Sequence, residues 1–149
     1  MAFTTTVKIT GIREAEQKLD NIEGYIKNPS KILKKAILFF KDDTEGEVFN
    51  SEGRSIGKGW SRLSPSYAKV KARKYPGKGI LEATGKMRRS FKTSVGKTRA
   101  VLSNSSPIFK YHQLGTRKMP QRVVLYIDRK REEKVLDMFQ KEANKVINK

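Results

Sequence analysis

The chain has 149 residues, no cysteine and a net charge of +18. A single domain of this length buries about 68–70% of its unfolded surface, enough for one modest core. The missing cysteines exclude disulfides, thiolate zinc sites and a cysteine nucleophile. The longest purely apolar run, "AILFF" at 36–40, falls far short of the roughly 20 residues that cross a bilayer. "MAFTTTVKITG" has neither the basic start nor the continuous apolar stretch of a secretory leader, so a soluble, intracellularly made protein with no membrane partner is expected.

Charge is unevenly placed. Residues 1–52 hold 8 Lys/Arg against 9 Asp/Glu, residues 53–131 hold 21 against 2, and residues 132–149 hold 4 against 4. The two central acids are Glu82 and Asp128. Such a block repels itself unless it spreads over a surface or faces an anion, which points to salt-sensitive attraction to nucleic acid, an acidic protein or anionic lipid, or else to a solvated face.

In chain order, "FTTTVKIT" at 3–10 alternates Phe3, Thr5, Val7 and Ile9 on one side and reads as a first strand. Ile12, Leu19, Ile22 and Ile26 then recur at helical spacing until Asn28 and Pro29 interrupt. Ser30 is placed to cap a second helix, with Ile32, Leu33, Ala36, Ile37, Phe40 and Val48 in one stripe. Two such stripes against one sheet face would supply most of the core. The acids Asp42, Asp43, Glu45 and Glu47 lie on the far half of this helix. With no histidine and no glycine-punctuated loop beside them, they read as a solvated face and not as a metal cluster.

"NSEGRSIGKG" at 50–59 is rich in glycine and serine and is expected to be a mobile loop. It is not a phosphate cradle, because only three residues separate Gly53 from Gly57 and a glycine follows Lys58 where a hydroxyl would hold magnesium. Ser64 and Pro65 open a short, very basic helix that stops at Pro76 and Gly77. "FKTSVGKTRAVLSN" at 91–104 reads as a hairpin turning near Gly96 and Lys97, with Ala100 and either Leu102 or Val101 facing inward. "RVVLYI" at 122–127 is dense in β-branched residues and reads as a further strand. A last helix follows from about Asp128, with Val135, Leu136, Phe139, Ala143, Val146 and Ile147 on its apolar face. The expected architecture is α+β over one domain, 1–149: a small antiparallel sheet covered by N- and C-terminal amphipathic helices.

Catalysis finds little support. His112 is the sole imidazole, and no carboxylate lies near it in sequence to orient it as a base. A hydrogen-bonded structural or interface role is the default for it. No cofactor or metal is expected. Nucleic-acid binding is harder to set aside, since basic residues interleave with Trp60, Tyr67, Tyr75, Phe91, Tyr111 and Tyr126, although most of those rings read better as core. The candidate contacts to DNA or another anionic partner are Arg54, Lys58, Lys69, Lys71, Arg73, Lys74, Arg88, Arg89, Arg117 and Lys118.

Three stretches, "GKGWSRLSPSYAKVK" at 57–71, "ILEATGKMRRSF" at 80–91 and "YHQLGTRKMPQR" at 111–122, occur in an order that resembles the phage virion morphogenesis family of Mu-like tail-completion or neck proteins. Its members carry G-x-W-x-x-L-S before a basic helix, then I-L-x-x-T-G-x-L, then H-Q-x-G ahead of M-P-x-R and a hydrophobic strand. The residues carrying the resemblance are Trp60, Leu63, Leu81, Gly85, His112, Gln113, Gly115, Pro120 and Arg122. Met87 stands where leucine is usual, and "VVLYI" replaces a proline and an aromatic.

The resemblance implies a non-enzymatic virion protein that completes the tail or neck and joins head to tail as part of a homo-oligomeric ring, by analogy a hexamer. Its partners would be copies of itself, head-completion or connector proteins on one side, tail-tube or tail-terminator proteins on the other, and DNA in the channel. Gly115 would make a turn that a side chain obstructs, Pro120 would stiffen entry to an edge strand, and His112 would be scaffolding. The 50–59 loop would touch an adjacent ring. The rival expectation is a free basic DNA- or RNA-binding protein.

Overall fold

The computed structural model describes residues 12–148, and the strand expected at 3–10 lies outside them. Over the described residues the fold is α+β, with five α-helices and one two-stranded antiparallel sheet. Helix α1, Ile12–Lys27, ends where Asn28 and Pro29 interrupt. Helix α2, Ser30–Asp43, begins with its cap position on Pro29, and the Ser30 N–H is met by Asn28 Oδ1 at 3.4 Å. Ser30, expected as the cap, is therefore the first helical residue.

Helix α2 runs directly into a π-helical turn, Thr44–Val48. A π turn fits an extra residue into each turn and so re-phases the side chains that follow. Here it brings Val48 and then Phe49 inward, each 1% exposed. They join Ile56, Trp60, Met87, Phe91 and Val124 in the principal core. Phe49 meets Trp60 and Phe91 edge-on, with ring centroids 5.3 and 6.4 Å away, and Phe91 continues the chain of rings to Phe109 at 5.7 Å. Such edge-to-face pairs place a positive ring edge on a negative face.

The core thus lies where the end of α2, the turns after it, the start of the hairpin and the 122–127 segment meet. It is not a sandwich of two helical stripes on one sheet face, as the sequence led us to expect. Helix α1 packs chiefly on α5, Arg129–Ile147, while α2 packs on both hairpin strands and on α5. Leu19 and Ile26 of α1 remain 65% and 68% exposed.

The hairpin pairs β1, Phe91–Val95, with β2, Ala100–Asn104, through a four-residue connection closed by Gly96 N–H to Arg99 O at 2.8 Å. Thr93 pairs with Leu102 and Val95 with Ala100, while Val101 is exposed. Leu102 is therefore the inward residue of the two candidates. Helix α3, Pro65–Lys74, starts with Pro65 in its first turn, as expected. Short α4, Phe109–Leu114, was not anticipated.

Two other expectations are corrected. The 50–59 segment is a series of hydrogen-bonded turns and not an open loop. Gly53 N–H donates to Val48 O at 2.9 Å, Trp60 N–H to Glu52 O at 2.8 Å, and Arg54–Ile56 forms a 3-10 turn with Ile56 buried. Gly53 sits at φ +79, and a Cβ there would lie 2.6 Å from Trp60 Nε1, so this position requires glycine. The 122–127 segment forms no strand, because side chains take the backbone groups that a neighbouring strand would have met.

Arg131, which the sequence did not single out, ties three parts of the fold together. It is buried, with Nε donating to Asp43 Oδ2 at 2.5 Å and Nη1 donating to Asp128 Oδ2 at 3.0 Å and Ser55 O at 3.1 Å. Asp128 also caps α5 by accepting the Arg131 N–H at 3.0 Å. Burial alone would raise the Asp128 pKa, but the N–H and guanidinium of Arg131 outweigh it and hold the carboxyl below its ordinary value. Asp43, read as part of a solvated face, is the half-buried ion-pair partner of buried Arg131.

Removing one member of such a pair leaves an uncompensated charge. Arg131→Leu is expected to lower stability by about 3 kcal/mol, read as a lower urea midpoint, and the double variant Asp43→Leu/Arg131→Leu to recover part of that loss.

Candidate functional site

The three stretches at 57–71, 80–91 and 111–122 are far apart in sequence but close round one cleft of about 790 Å³. Leu63, Leu81, Met87, His112, Pro120 and Arg122 line it. Trp60, Gln113 and the two glycines stand outside the lining and act on the backbone that builds it.

Trp60 is buried, and its Nε1 donates to Val123 O at 2.7 Å. Gln113, on α4, bridges the same segment further along. Its Oε1 accepts the N–H groups of Val124 and Leu125, and its Nε2 donates to Leu125 O, all at 2.9 Å. One primary amide, with an acceptor and a donor side by side, thus stands in for a strand edge. Arg122 closes the arrangement: its N–H donates to His112 O at 2.7 Å, Nε donates to Ser61 O at 2.9 Å and Nη2 to Arg62 O at 3.2 Å.

Gly115 ends α4 at φ +74, ψ 169, and a Cβ there would stand 3.0 Å from Gln121 N. That close approach lets the chain double back so that Arg122 reaches His112. Gly85 also has positive φ, +68, and Leu81 is held at +65 despite carrying a side chain. Pro120 is exposed and leads into no edge strand. Thr116 and Met119 make a single bridge beside it, with Thr116 N–H donating to Met119 O at 2.9 Å.

His112 is partly buried. Its Nδ1 is enclosed and has no hydrogen-bond partner among the described residues. Burial, and then the nearby Arg122 cation, push its pKa below the ordinary 6.5. No carboxylate among the described residues orients it, so the histidine–acid arrangement of a hydrolase is not assembled there. Of the acidic turn, Asp43 belongs to Arg131 and Glu45 to Lys41. Among the described residues no group of three or more His, Cys, Asp or Glu side chains could hold a metal ion.

The basic candidates divide by burial. Arg54, Lys58, Lys69, Arg73, Lys74, Arg89, Arg117 and Lys118 are exposed, with Lys58 over the Tyr126 ring at 4.8 Å. Arg88 is part-buried and bonds Glu82 and Asn50. Lys71 is only 5% exposed and donates to Gly79 O, which puts it out of reach of a duplex on the surface. Of the interleaved rings, Trp60 and Phe91 are core, whereas Tyr67, Tyr111 and Tyr126 are exposed.

Two outcomes follow from these bonds. Gln113→Leu strands two backbone N–H groups and one carbonyl and is expected to cost about 3 kcal/mol or more in urea unfolding, since each stranded group costs roughly 1–3 kcal/mol. The second outcome concerns the sole histidine. Its folded pKa lies below its unfolded one, so above 6.5 both states are neutral and pH has no effect through it. As pH falls below 6.5 the unfolded state takes up the proton first, and stability drops until the folded pKa is passed. His112→Phe is expected to flatten that slope below pH 6.5, read from urea midpoints at a series of pH values.

Among the described residues no helix is long and apolar enough to cross a membrane. No curated protein and no solved structure matches the chain. A model of the phage virion morphogenesis family matches residues 12–143, a span that takes in the cleft, its struts and the helices on both sides. The chain therefore belongs to the phage virion morphogenesis family, a structural, non-enzymatic kind of virion protein.

Proposed function

We propose that this virion component completes the tail or neck and joins head to tail as a subunit of a homo-oligomeric ring, taken as sixfold. The observation that carries the reading is the family match over residues 12–143, together with the convergence of the three stretches on one cleft. Chemistry plays no part in the mechanism; the protein acts by binding and ordering its neighbours.

The surface supports this role. Val70, Ile108, Leu114 and Ile127 are exposed, which costs an isolated subunit and rewards one with neighbours. Ring symmetry repeats each such patch, so one interface serves every subunit. Exposed cations such as Arg54, Lys69, Arg73 and Arg117 would face an acidic neighbouring ring, the DNA channel, or both. A head-completion or connector protein would lie on one side and a tail-tube or tail-terminator protein on the other.

The test is a stop codon in the gene within its phage or prophage. The expected result is DNA-filled heads and finished tails that remain separate, with joined particles restored by adding the purified protein. Joined, infectious particles without the protein would refute the reading. Tight duplex binding by the isolated monomer, released steeply by salt, would favour the free nucleic-acid-binding alternative.

A further inference from the structure

The cleft between the three stretches has a floor of unusual chemistry. Lys71 and Arg122 both line it, at 5% and 4% exposure. Neither forms an ion pair with a carboxylate among the described residues: Lys71 donates to Gly79 O, and Arg122 donates to the carbonyls of Ser61 and Arg62. The nearest acids are otherwise engaged, Glu52 with the Ile80 N–H at 3.0 Å and Glu82 with Arg88. His112 adds a buried Nδ1 without a partner. Glu52 and Glu82 act on Lys71 through space without bonding it, while Arg122 is close enough to repel it, so a carboxylate brought between the two recessed cations would meet both charge and hydrogen-bond donors.

The rim differs from the floor. Tyr67 and Ile108 line the same cleft at 50% and 51% exposure, and Leu63, Leu81 and Met87 extend the apolar wall. A ligand that fits must therefore present apolar groups at the mouth and one acid at depth.

We infer that this cleft is a docking site for a peptide segment of a neighbouring virion protein, one that carries a single aspartate or glutamate between apolar side chains. The carboxylate would sit against Arg122 and Lys71, and the flanking side chains would lie against Tyr67, Ile108 and Leu63. A nucleic-acid backbone fits less well, because its phosphates lie outermost and these two cations are recessed behind an apolar rim. The cleft's chemistry does not depend on whether subunits form a ring, so the outcome of the head-to-tail joining experiment leaves it open to its own test.

The probe is a terminally blocked peptide, Leu-Leu-Glu-Leu-Leu, titrated into the full-length isotope-labelled protein and followed by amide chemical shifts. The expected result is saturable shifts at Leu63, Leu81 and His112. Affinity should be at least about tenfold weaker for the peptide with glutamine in place of glutamate, a difference of about 1.4 kcal/mol. Tyr67→Glu and Ile108→Glu change exposed side chains, so the fold should survive, and both should weaken binding by a similar factor. Leu114→Glu, which lies outside the cleft, should not. Equal binding of the two peptides, or shifts that map elsewhere, would overturn the assignment. So would tighter competition at these amides by a single-stranded oligonucleotide, or self-association of the free protein that Tyr67→Glu abolishes.

Discussion

The structure depends on one constraint: residues 122–125 pass through the core without a strand beside them, yet their backbone polar groups must be met. Val124 is fully buried, and an unmet N–H or carbonyl beside it would cost roughly 1–3 kcal/mol. Trp60 takes the carbonyl of Val123, and Gln113 takes two N–H groups and one carbonyl. Arg122 returns the favour to the chain around it, through His112, Ser61 and Arg62. These few bonds knit three distant stretches together, and the cleft is the space left between them.

A second tie holds the helices to this centre. Arg131 reaches from the first turn of α5 to Asp43 at the end of α2 and to the Ser55 carbonyl in the 3-10 turn. The same guanidinium therefore fixes the turns after α2, which carry Ile56 and lead to Trp60. Positive charge does two separate jobs in this chain. Arg131, Arg122 and Lys71 are internal ties, whereas Lys69, Arg73 and Lys74 on the same basic helix as Lys71 remain at the surface.

For a structural virion protein, this division has a consequence. Buried ties hold the motif residues in place, and the faces left over are exposed cations on one hand and an apolar-rimmed basic cleft on the other. His112 belongs to the first group. Its carbonyl anchors Arg122, its ring closes part of the cleft wall, and its lowered pKa keeps it neutral at ordinary pH.

The sequence by itself determined the elements whose physics is local. Apolar spacing placed the first, second and last helices, Pro29 and Pro65 marked boundaries, Asp128 announced α5, and alternation around Gly96 made the hairpin. The recurring stretches identified the family and the residues that surround the cleft. Only the tertiary structure decided what the remaining side chains do. "RVVLYI" has the composition of a strand, but Trp60 Nε1, 63 positions away, and the Gln113 amide occupy the backbone groups that a strand would share. Arg131 and Asp43 are 88 positions apart, and nothing in the local pattern links them. Lys69 and Lys71 look alike in sequence, yet one is solvated and the other buried. Periodicity reports the face a residue occupies on its own element. Which distant donor meets which acceptor is settled only when the elements pack.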